Sequence, residues 1–175
     1  SVKPFPQPAQ ALGTVSDNSP IAIDGGSLGL SDEQLDELVG QIADEWVVGP
    51  SVKKLLLLPP DHTRLYSFAG QITAKLWRQL HEQVEIDVLP APGTHFPMTE
   101  AQLRLMFGEE IPLARFVPHR WRDDLEELGV LPAELLDELS GGRMKSSVTV
   151  AVNRRIVSGQ YDQVLSIGQV VPHEV

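Results

Sequence analysis

Lys54-Leu55-Leu56-Leu57-Leu58-Pro59-Pro60-Asp61-His62-Thr63-Arg64 is the stretch that decides the fold. Its four leucines fall far short of the ~20 apolar residues that span a bilayer. An unbroken apolar run closed by two prolines predicts a strand buried on both faces, the habit of parallel strands lying under helices. Asp61 to Arg64 follow as a polar turn. Residues 67–83 then predict a helix, with Phe68, Ile72, Leu76 and Leu80 on one face.

Outward from this core the alternation repeats. Upstream, Ser31-x-x-Gln34 has capping-box spacing, and Leu35, Leu38, Val39, Ile42, Trp46 and Val47 form a helical stripe that ends at Gly49-Pro50. The opposite face of that helix is acidic and reads as solvated. Downstream, residues 84–89 predict a second strand, and Thr99-x-x-Gln102 caps a short helix. Residues 114–117 predict a third strand, and Pro132 to Gly141 bracket another helix. Residues 147–152 and 163–171 predict the last two strands. Strands alternating with helices predict an α/β fold, a Rossmann-like and mostly parallel sheet flanked by helices. Residues 1–30, with Pro4, Pro6, Pro8 and Pro20, are expected to form an extended arm before a domain over 31–175.

Composition narrows the function. The 175 residues carry 14 Lys+Arg against 24 Asp+Glu, a net charge of −10, which argues against nucleic acid because phosphate neutralisation needs clustered cations. There is no cysteine, which removes disulfides, a thiol nucleophile and Cys-ligated metals. With no signal peptide and no membrane span in these residues, a cytoplasmic location is expected. No phosphate loop, dinucleotide fingerprint, HExxH or GxSxG motif occurs in the sequence.

Asp61, His95, His119, Asn153 and His173 each follow the carboxyl end of a predicted strand. Open α/β sheets bind ligands beyond those ends, so distant parts of the chain are expected to bring these residues to one edge. Two imidazoles can act as opposed general bases near neutral pH, and Arg64 can hold a carboxylate or phosphate in a bidentate grip.

At these residues the sequence resembles the nickel-dependent lactate racemase family, in its N-terminal domain. Asp61-His62-Thr63-Arg64 is similar to the family's D-x-T-R, and Gly93-Thr94-His95 with Pro97-Met98-Thr99-Glu100 to its G-T-H-x-P-M-T-x-x-E/Q. Asn153-Arg154 and Ile167-Gly168 to Pro172-His173 supply the third and fourth motifs. The resemblance implies the N-terminal domain of a two-domain racemase or epimerase of small 2-hydroxy acids. It implies a nickel-pincer pyridinium mononucleotide as cofactor, which takes a hydride from the substrate's α-carbon. His95 and His173 match the two bases, and Asp61, Thr63 and Arg64 match residues lining the cofactor and substrate pocket; His119 receives no role. The cofactor lysine, the nickel ligand and the second domain are expected beyond Val175, so no metal ligand is assigned here and these residues alone are expected to be inactive. The alternatives are a non-catalytic ligand- or cofactor-binding domain and, more weakly, a metal-dependent hydrolase using histidine and Asp61.

Overall fold

A computed structural model describes residues 21–26 and 29–169. Most of the expected arm, together with His173, lies outside the described residues.

β1 (Lys54–Leu58) is the central strand of a three-stranded parallel sheet, paired with β2 (Glu85–Val88) on one side and β5 (Gln163–Ser166) on the other. Leu55, Leu56 and Leu57 are all fully buried. Successive side chains of a strand point to opposite faces, and the core divides accordingly. Leu55 and Leu57 pack with α1 (Asp32–Ala43), α2 (Ala69–Leu80) and α3 (Glu100–Phe107) through Val39, Leu76, Trp77, Leu80 and Phe107. Leu56 packs on the other face with Leu89 and Tyr161, backed by Val117 and Val164. Both predicted capping boxes form, Ser31 with Gln34 and Thr99 with Gln102. α1 runs on into a π-helical turn, Asp44–Val48.

β5 is pinned beside β1 by the Asp162 carboxylate, which accepts the backbone N–H groups of Lys53 at 2.9 Å and Lys54 at 2.8 Å. Tyr161 donates its hydroxyl to Asp87 at 2.7 Å across the sheet. Burial, with that carboxylate beside it, pushes the phenol up to about 12.

Three strand expectations are corrected. Residues 114–117 do not form a strand. Pro112 leads into a short 3-10 turn, Leu113–Arg115, and Pro118 has no N–H to donate to a ladder. Only Phe116 bridges to Val88, with Val117 N–H bonding the Val88 carbonyl at 2.8 Å. The strand expected at 147–152 does form, as β4 (Val148–Asn153), but outside the parallel sheet. It pairs antiparallel with β3 (Leu125–Leu131), which the sequence reading did not anticipate. α4 (Ala133–Leu139) joins the two strands of this ribbon, and α5 (Arg154–Val157) follows it. The strand expected over 163–171 is observed only to Ser166. Among the described residues no helix is long and apolar enough to cross a membrane.

Candidate functional site

The turn after β1 places a carboxylate at the rim of the sheet. Asp61 is only 3% exposed, and its extended backbone caps a 3-10 turn, His62–Ser67. Its Oδ1 accepts the Thr63 N–H at 3.1 Å and the Thr63 hydroxyl at 2.5 Å. Its Oδ2 lies 2.9 Å from Nδ1 of His95. Burial alone would push this carboxyl up; the bonds from the Thr63 hydroxyl, the His95 ring and the Thr63 N–H outweigh it and hold it below its ordinary value.

His95 arrives from the loop after β2. That loop first continues the sheet through an Ala91–Pro60 bridge and then turns, with His95 N–H bonding the Pro92 carbonyl at 3.0 Å. Gly93 sits in the turn at φ 60°, where a side chain would be strained. An ionised carboxylate only accepts, so the Asp61 contact keeps the His95 proton on Nδ1 and leaves Nε2 with a free lone pair. The ring is 58% exposed. It is therefore held on one side and open on the other, the arrangement of an oriented base.

β1 feeds β2 on one side while β5 lies on the other, so Asp61 sits where the strand order reverses, the usual ligand crevice of open α/β sheets. Thr63 secures Asp61. Arg64 is exposed, and its guanidinium makes no ion pair among the described residues. His62 is turned elsewhere: its Nε2 meets Gln102 Nε2 at 3.0 Å, and its buried Nδ1, 4.0 Å from Asp61, has no hydrogen-bond partner.

A second pair stands beside the first. His119 Nδ1 lies 2.9 Å from the side-chain nitrogen of buried Asn153. Asn153 was expected to reach this edge on a strand of the parallel sheet; instead the antiparallel ribbon carries it there. His95 and His119 line one cavity of about 240 Å³, together with Phe96, Pro97, Arg120, Trp121 and Arg122. Sequence reasoning passed over Arg120-Trp121-Arg122, although two arginines directly after Pro118-His119 in an acidic chain were the available signal. Among the described residues no three His, Cys, Asp or Glu gather as a metal site.

The family model of the lactate racemase N-terminal domain matches residues 30–175. No curated protein matches the chain. A crystal structure of a Thermotoga maritima protein is similar at 27% identity and a TM-score of 0.70, over 83% of this chain and 35% of that one. The lactate racemase apoprotein from Thermoanaerobacterium thermosaccharolyticum matches 75% of this chain and 31% of its own at 19% identity, with a TM-score of 0.49. The chain thus spans about a third of the length of each of these two structures. Its motifs, its α/β fold and the match over residues 30–175 make it a member of the lactate racemase N-terminal domain family.

Proposed function

We propose that this chain is the base-bearing domain of a racemase or epimerase of small 2-hydroxy acids, and that His95 exchanges the substrate's hydroxyl proton through Nε2. The observation that carries this reading is the 2.9 Å contact between buried Asp61 and the half-exposed ring of His95. A hydrogen bond to Nδ1 fixes the tautomer and aims the other nitrogen outward, and the neighbouring carboxylate stabilises the ring when it takes up a proton. Racemisation needs a base on each face of the substrate, and His173 is the candidate for the second.

The described residues fit the organic, anionic part of a pincer nucleotide better than its metal. Arg64, exposed on the Asp61 turn, suits a phosphate, whereas a metal ligand and an attachment lysine would come from a further domain acting as partner. When bound, such a cofactor supplies a hydride acceptor for the α-carbon. The chain's own residues bind the substrate, orient it and move its proton.

The test is racemisation of L-lactate by the cofactor-loaded longer protein that contains this domain, carrying His95→Gln. A fall of about 10²-fold or more in kcat, with the fold retained, is expected. Wild-type rates in the variant would refute His95 as the base.

A further inference from the structure

His95 and His119 face one cavity but are held in opposite senses. The Asn153 side-chain oxygen accepts the Arg155 N–H at 3.0 Å, capping α5. That contact fixes which end of the amide is which, so its NH₂ group is the one that meets His119 Nδ1 at 2.9 Å. An NH₂ group only donates. Nδ1 of neutral His119 must therefore accept, and its proton sits on Nε2. Asp61 makes His95 a proton acceptor toward ligand; Asn153 makes His119 a proton donor.

Beyond the histidines the wall carries two arginines, Arg120 and Arg122, in a chain of net charge −10. Arg120 is consumed by Asp124 through contacts of 3.1 and 3.0 Å. Arg122 is not consumed: its guanidinium lies 3.9 Å above the Trp121 ring and makes no ion pair among the described residues. Asp123, the one acid lining the cavity, acts on Arg120. A neutral donor and a stacked, uncommitted guanidinium match an oxyanion, a carboxylate or a phosphate.

We propose that this cavity is a carboxylate subsite, with His119 Nε2–H and Arg122 as its two grips, which presents an α-substituent of the bound acid to His95. That the acid is a 2-hydroxy acid rests on the function proposed above; the subsite itself does not.

The test is ¹⁵N NMR of the histidine and arginine side chains of this chain, titrated with sodium L-lactate and, separately, with inorganic phosphate. The expected result is a His119 proton on Nε2, with His119 and Arg122 signals shifting together on lactate addition. Asn153→Asp preserves the cap, since aspartate caps as well as asparagine, but it accepts from Nδ1 and moves the proton there. That variant should keep its thermal midpoint and lose at least 10-fold in lactate affinity, as should Arg122→Gln. A proton on Nδ1 in the wild type, no shift at His119 with lactate, unchanged affinity in both variants, or tighter binding of phosphate than lactate would each overturn the proposal. Lactate binding without racemisation by the loaded protein would sink the functional reading and leave the subsite standing.

Discussion

Asp61 ties the stability of the molecule to its chemistry. Its carboxyl is held below its ordinary 3.8 in the fold, so the folded state binds fewer protons than the unfolded one near that pH. Its contribution is complete above 3.8 and is lost as pH falls through the lower, folded value. Asp61→Asn should therefore cost about 1–3 kcal/mol at neutral pH, the cost of leaving buried partners unpaired, and the gap to wild type should close on acidification. Thermal unfolding of both proteins between pH 6 and pH 2.5 measures this, and a gap independent of pH would show that Asp61 is not ionised in the fold. That Asp61 and His95 share one edge was legible in the sequence because both residues follow strands of one parallel sheet, whose ends coincide in space; their direct contact was not. The His119–Asn153 contact joins the sheet rim to a separate ribbon, and the pairing of that ribbon is not written in strand order.

At the scale of elements, apolar pattern and caps carried most of the information. The leucine run and both capping boxes appear where the sequence puts them, since each rests on residues within one turn or one strand; of the α2 stripe Ile72, Leu76 and Leu80 hold, while Phe68 precedes the helix at φ 62° and is exposed. β3 was hidden for a physical reason. Its sequence, Leu-Glu-Glu-Leu-Gly-Val-Leu, has two glutamates, poor strand formers, at its second and third positions, and the ladder slips between Glu127 and Gly129. The contact of α2 with α3 turns on a single glycine: a Cβ on Gly70 would lie 2.1 Å from the Met106 carbonyl oxygen and 2.9 Å from its Cγ. Backbone cannot yield as a flexible side chain can, so Gly70→Ala should destabilise by about 1–3 kcal/mol in chemical denaturation. An unchanged midpoint would mean that the two helices can separate without loss.

The whole molecule combines two bodies of unequal burial. The parallel sheet has a core on each face, whereas β3 begins with three exposed residues and reaches only half-burial. A two-stranded ribbon is marginal by itself. Amide exchange should therefore be slowest at Leu55–Leu57 and faster by about two orders of magnitude across Glu126–Val130. Equal protection in both would show that the ribbon opens only with the sheet.

The pin at Asp162 has a consequence for how such a molecule can diversify. Because β5 re-enters beside β1 through its own carboxylate clamp, the chain from β3 up to that clamp, which holds neither Asp61 nor His95, can change length or sequence without separating the two. The ribbon within that interval is in effect an exchangeable cassette. It carries Asn153, and through Asn153 it sets which proton His119 offers. Ligand preference can drift with the cassette while Asp61 and His95 stay where they are.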